Sequence, residues 1–466
     1  MEIVVLSIMV LPLLLNVFLQ KDWYICLLFA FYAVFPDTFA VELSSSLPLI
    51  TVARILILLN LFITIYKGKM KRINVLPMCY RWYFAATIFI MLLNIYQGKG
   101  QIVGIINIIA DQVLLLVLIV GAIDTVQKFY KYIDYMIYGF TLSAVVGIIQ
   151  TALKTDLSKP IHLITSRQEM GLEYRMGLMR ACGLSTSAIR FACECTLMIF
   201  ITLFLYEKKR GNKYLVFMVI FIITLLCTMS RSSWIALFIV LIARVVLRYR
   251  AFAKYYMRFL PFIAAVGVVT VIFFPGVVQI VIEPLKTIIN SLGANAKVAS
   301  DFGTNSDAMV QSRTFQWSAL QYMRIHGDLL LGYGYNAYPR GMIHFYYPGY
   351  KAWDTARAID VGFVSLICER GLLGGFIYMI LLVSLFMICY KRKNFLFYDF
   401  MCFILVMYFL QNVMSSCLDN RVFMLLIGLM CSLIYLEKSK VIYEKEGALL
   451  NGNQHRYFDC CGKLQP

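Results

Sequence analysis

Arg231 stands in Ser230-Arg231-Ser232-Ser233, a polar interruption of four residues between two apolar runs. A cation held at such a place costs free energy unless it meets a phosphate, a carboxylate or water. Arg180 and Arg190 flank the start of the apolar run at 189 and can converge on the same place. Arg313 and Arg324 are eleven residues apart, and at about 100° per residue that spacing returns them to one helix face. Guanidinium forks match phosphate oxygens bidentately where Lys acts as a point charge, so this set points to a phosphate-bearing partner. For any single Arg the alternative is that its side chain snorkels to lipid headgroups.

The acids are fewer. In the segment 358–374, Asp360 and Glu369 are nine residues apart, which on a continuous helix turns them to opposite faces. Asp360 is nearer the preceding loop and is the candidate general base, while Glu369 and Arg370 are expected to pair with neighbours. Arg54, Asp111 and Glu194, inside apolar runs, read as interhelix ion pairs. Trp317, Tyr333 and Tyr335 belong to an aromatic-rich stretch suited to stacking on sugar rings or to anchoring at a membrane interface. Residues 311–326 carry apolar side chains at helical spacing, and Gly332-Tyr333-Gly334-Tyr335-Asn336 reads as a tight turn that permits close backbone approach.

The elements that must hold these residues follow from composition. Of 466 residues, 61% are apolar and only 15% charged, with a net charge of +18 and a mean hydropathy of +0.77. This excludes a soluble globular domain and a disordered chain, and predicts an all-α polytopic transmembrane helical bundle. The thirteen cysteines are scattered, most of them in apolar runs, and there are four histidines. Neither a disulfide framework nor a multi-histidine metal centre is expected. The sequence has no Walker A or G-x-G-x-x-G element, so no cofactor, metal or nucleic-acid partner is predicted.

Apolar runs long enough to cross a bilayer fall at 3–19, 24–43, 49–66, 81–96, 102–123, 130–153, 189–206, 214–229, 234–247, 259–282, 371–390, 398–416 and 422–436. The first two are either two spans or one span plus a membrane-surface segment, giving thirteen spans or twelve. Basic clusters at 67–72, 208–210, 244–258 and 391–393 and in the tail after 437 mark the cytoplasmic side, each separated from the next by an even number of spans. Outward segments then lie at 154–188 and 283–358, where Arg outnumbers Lys, the reverse of the cytoplasmic side. The chain divides into N-terminal spans (1–282, about ten), a large extracytoplasmic loop (283–358), C-terminal spans (359–436) and a cytoplasmic tail (437–466).

These residues resemble the O-antigen ligase and Wzy-type polymerase superfamily. Arg180-Ala181-Cys182-Gly183-Leu184 with 188–192 looks like the stretch leading into its middle span, and Ser230-Arg231-Ser232-Ser233-Trp234-Ile235-Ala236-Leu237 is similar to its SRGxWLAL-like element. Arg313-Thr314-Phe315-Gln316-Trp317, running on to Leu331-Gly332-Tyr333-Gly334, resembles the family's large-loop element. Gly371 and Gly374 fit its closing Gly-x-x-Gly. The departure is Asp360-Val361 where the ligase pattern has His-Asn; an acid there looks more like the polymerases.

The resemblance implies a bacterial plasma-membrane glycosyltransferase working on the extracytoplasmic face. Its substrate would be a polyprenyl-diphosphate-linked oligosaccharide, already activated at the anomeric carbon. Arg231 and Arg313, with Arg180 and Arg190, would stabilise the departing diphosphate, and Arg324, Trp317, Tyr333 and Tyr335 would hold glycan. Asp360 would deprotonate or orient the acceptor hydroxyl. The expected activity is polymerisation of a surface polysaccharide (O-antigen, capsule or exopolysaccharide), with chain-length-regulator and flippase proteins as partners the resemblance leaves room for. The alternatives are a ligase handing finished glycan to a lipid or protein, and a transporter or flippase of lipid-linked oligosaccharide. Transport is disfavoured because the halves do not echo each other and the charges gather at the outer boundary.

Overall fold

The computed structural model describes residues 23–35, 39–41, 49–66, 68, 75–158, 174–175, 178–209, 211–248, 316–338, 340–347, 352–356, 359, 361–418 and 420–438. The expected spans at 3–19 and 259–282, the loop up to residue 315 with Arg313, Asp360, and the tail after 438 lie outside the described residues.

Twelve helices are described: α1 Trp23–Phe31, α2 Val52–Tyr66, α3 Met78–Tyr96, α4 Ile102–Ala122, α5 Val126–Leu153, α6 Ala188–Lys209, α7 Asn212–Thr228, α8 Arg231–Leu247, α9 Ser318–Ile325, α10 Gly362–Lys391, α11 Leu396–Met414 and α12 Arg421–Lys438. Six of them, α3, α4, α5, α6, α10 and α11, are long and apolar enough to cross a membrane. The protein is an all-α helical membrane bundle, and the strands among the described residues form three two-stranded antiparallel pairs. The longest pairs His344–Tyr347 with Ala352–Thr355.

Two helices differ from the hydropathy reading. The run at 24–43 contains a helix only as far as Phe31, followed by turns, and Ala40–Val41 pairs with Ile50–Thr51. A proline at 36 followed by Asp37 is turn chemistry that a hydropathy window averages away. The run at 371–390 belongs to a helix that begins nine residues earlier, at Gly362.

Helix α6 is the central column, with 89% of its apolar window buried, and α11 follows with 72%, whereas α3, α4, α5 and α10 each bury less than half. Exposed Leu, Phe and Ile on the outer helices, such as Phe62, Phe89, Phe238 and Phe376, are what a lipid-facing surface requires. At the end of α6 away from Ala188, Arg244 of α8 donates to both carboxylate oxygens of Glu207 at 2.9 Å and to Asp399 of α11 at 3.3 Å. Arg248 donates to Asp399 at 2.6 Å, and the Arg244 guanidinium lies 3.8 Å from the Phe400 ring centroid. Buried charges are tolerated when paired in this way, and the cluster pins α6, α8 and α11 together.

Candidate active site

The two glycine motifs prove to be halves of one interlock. Gly371 breaks α10 with φ +69° and ψ −178°, a conformation open essentially to glycine alone. A break strands the carbonyls before it and the amides after it. The turn at 328–334 takes them up. Tyr333 N–H donates to the Cys368 carbonyl at 2.8 Å and Gly334 N–H to the Glu369 carbonyl at 2.9 Å, while Leu372 and Leu373 N–H donate to the Leu329 and Leu330 carbonyls at 2.9 and 3.3 Å. The backbones approach so closely that a Cβ on Gly371 would lie 2.0 Å from the Leu330 oxygen, and one on Gly332, itself at φ +77°, 2.5 Å from the Gly371 nitrogen.

The turn is tied to the α3–α4 connection as well. Lys99 pairs with Asp328, Asn94 donates to the Leu331 carbonyl at 3.0 Å, and Arg340 donates to the carbonyls of Lys99 and Tyr333 at 2.5 and 2.7 Å. Burial lowers the Arg340 pKa from its usual value, with the Glu369 carboxylate acting in the opposite sense. A small core lies beneath, where Ala319 and Met323 of α9 meet Tyr333, Phe345, Val361 and Cys368.

Beside the break lies a cavity of about 100 Å³. Its polar lining comes from Arg190 of α6, Glu369 and Arg370 of the first half of α10, Gln112 of α4, Ser365 and Ser416. The remainder is aromatic and apolar, including Tyr83, Tyr378, Leu382, Tyr408 and Phe423. Arg370 is buried and donates to the Tyr83 hydroxyl at 3.0 Å. Arg190 also lines a smaller recess with Glu194 and Arg421. Two guanidiniums and one carboxylate share this cavity with aromatic and apolar side chains, and the guanidiniums suit a ligand with an anionic group.

Of the residues singled out from the sequence, Arg190 lines this cavity. Arg180 is buried, and its Nε donates to the Thr228 carbonyl at 2.8 Å, at the junction where α7 ends and Arg231 opens α8. That junction touches the cavity wall: Ser415 donates to Ser232 at 2.9 Å, and the next residue, Ser416, lines the cavity. Arg324 and Trp317 are exposed on the surface around α9, whereas Tyr333 is buried in the small loop core, where burial raises its pKa. Tyr335 packs on Gly104, and its hydroxyl accepts from Asn107 at 2.6 Å.

Asn107 in turn accepts from Arg54 at 2.7 Å, and Arg54 donates to both oxygens of Asp111, at 3.0 and 2.7 Å. Asp111 and Gln112 sit in a π-helical stretch, Ile109–Leu114, within α4. Such a stretch offsets the helical register, and these neighbours serve different partners: Asp111 pairs with Arg54 while Gln112 lines the cavity.

Glu369 and Arg370, which the sequence reading assigned to neighbour pairing, line the cavity as well, and Arg370 does pair with Tyr83. The signal was present, since an Acid-Arg-Gly triplet inside an apolar run marks a functional position by default. Gln112 gave no comparable signal.

The class defined by this architecture is a polytopic helical membrane protein with an anion-compatible cavity built beside a loop-capped broken helix. Residues 216–379 match the family model described as O-antigen ligase, consistent with the superfamily resemblance. The match covers most of α7, all of α8, the loop, the interlock and the cavity residues Ser365, Glu369 and Arg370; Arg180 and Arg190 precede it. It supports a membrane enzyme of surface-polysaccharide biosynthesis acting by glycosyl transfer on lipid-linked glycans. No curated protein matches the chain.

Proposed function

We propose that this protein polymerises a bacterial surface polysaccharide, moving a growing glycan from polyprenyl diphosphate onto an incoming lipid-linked repeat unit on the extracytoplasmic face of the plasma membrane. The observation that carries this reading is the cavity that Arg190 and Arg370 line together with aromatic and apolar side chains. A diphosphate would sit on the guanidiniums and the first isoprene units on the rings and leucines. Developing negative charge on the departing diphosphate is then met by fixed cations in a site of low dielectric, so neither ATP nor a sugar nucleotide is needed. Arg231 and Arg180, at the adjoining α7–α8 junction, add positive charge next to the cavity wall. Arg313 and Asp360 keep the roles the resemblance implies, charge stabilisation for the first and deprotonation or orientation of the acceptor hydroxyl for the second. Arg324, Trp317 and Tyr335 border the loop surface along which sugars would run.

The family description favours a second reading, a ligase that hands finished glycan to a lipid or protein, whereas the acid at position 360 favours the polymerase. Deletion separates them: cells lacking a polymerase display single repeat units, and cells lacking a ligase accumulate long chains on the carrier lipid. Arg190→Ala combined with Arg370→Ala is expected to reproduce the deletion phenotype at normal protein levels. Full-length polymer from that double variant would refute the site.

A further inference from the structure

Glu369 is the one carboxylate among the described residues that line the cavity. Its place is fixed by the interlock, because its carbonyl accepts from Gly334 N–H at 2.9 Å and the break follows two residues later. The charged and titratable groups around it come from several elements: Arg190 from α6, Cys368 and Arg370 beside it, Arg340 from the loop, and the hydroxyls of Tyr80, Tyr83, Tyr378 and Tyr408.

We infer that Glu369 receives the proton of the acceptor hydroxyl in the glycosyl transfer proposed above, on which this inference rests; Asp360 is left with orienting the acceptor. The acceptor oxygen forms a bond to the anomeric carbon as the bond from that carbon to the diphosphate oxygen breaks. The diphosphate leaves with the bonding electron pair onto Arg190 and Arg370, and the hydroxyl proton passes to the Glu369 carboxylate. No oxidant, metal or further reactant is required.

The test uses the full-length protein in detergent or nanodiscs, with undecaprenyl-diphosphate-linked repeat units extracted from cells deleted for this chain as substrate and undecaprenyl diphosphate as the binding probe. Glu369→Gln is expected to bind the probe at least as tightly as the wild type, to lose turnover by about 100- to 10,000-fold, and to lose the acid limb of the kcat–pH profile. Glu369→Asp retains that limb at reduced rate and decides the matter if the Gln variant melts early, and Asp360→Asn slows turnover with the limb intact. Wild-type turnover in Glu369→Gln, or loss of the acid limb in Asp360→Asn with its retention in Glu369→Gln, overturns the assignment and leaves the proposed function standing. Wild-type protein that neither binds the probe nor extends the repeat overturns both.

Discussion

Replacing Gly371 by Ala attacks the interlock at its closest contact. The substituted residue would have to hold φ +69° with an extended ψ, a strain of about 1–3 kcal/mol for a residue with a Cβ. Its Cβ would also lie 2.0 Å from the Leu330 oxygen, where contacts under 3.0 Å essentially never occur, so the two backbones must separate. That movement loosens the bonds from Leu372 and Leu373 to the Leu329 and Leu330 carbonyls, each worth about 1 kcal/mol net. The sum is about 3–5 kcal/mol, a large part of the stability of an ordinary domain. Gly98 supplies the control: its φ is +73° but nothing lies within 4 Å of an added Cβ, so Gly98→Ala pays only a backbone term of about 1 kcal/mol. Apparent unfolding free energies of the two variants in SDS titrations, with polymer length in cells as a second readout, compare them directly. If Gly371→Ala falls within the error of Gly98→Ala, the loop does not cap the break and the account of the site fails.

Other perturbations test other parts of the molecule. Arg244→Met leaves the buried acids Glu207 and Asp399 without their shared guanidinium and is expected to cost about 3–5 kcal/mol; adding Glu207→Gln should recover part of the lost melting temperature. Cys182, outside the spans, has its thiol pushed up to about 11 by burial, against the opposing effect of Arg180. Its maleimide labelling at neutral pH should be slow and should accelerate as pH approaches that value. The sign of its stability effect follows: between the usual 9.0 and about 11 the unfolded chain loses this proton while the folded chain keeps it, so stability falls as pH rises through that window and is untouched by this group near pH 7.

Helix placement was largely readable from hydropathy, since apolar runs of sufficient length are what a bilayer demands, and the run at 102–123, for example, is met by Ile102–Ala122. That Arg54 and Asp111 would enter interhelix ion pairs was readable too, because an isolated charge inside an apolar run must find a partner, but which acid Arg54 meets was not. What hydropathy hid was the first half of α10. Glu369 and Arg370 lower the local average, so the span appears to begin at the break, and the two residues that turn out to line the cavity were counted as its boundary. The partnership of Gly332 with Gly371 was also beyond reach, because each motif is intelligible alone as a turn or a close helix contact. Only their contact in space shows that one fills the gap left by the other.

That contact carries an evolutionary corollary. Two positions some forty residues apart in the chain each lack a side chain because backbone of the other's segment, Leu330 and Leu331 for Gly371 and Glu369 to Gly371 for Gly332, occupies the space, so neither can acquire a methyl group by a single tolerated step. Across related chains the pair should therefore change in concert: lineages that have restored an unbroken helix where Gly371 stands ought to have remodelled the turn at Gly332 as well, and a lineage retaining one glycine without the other should be rare.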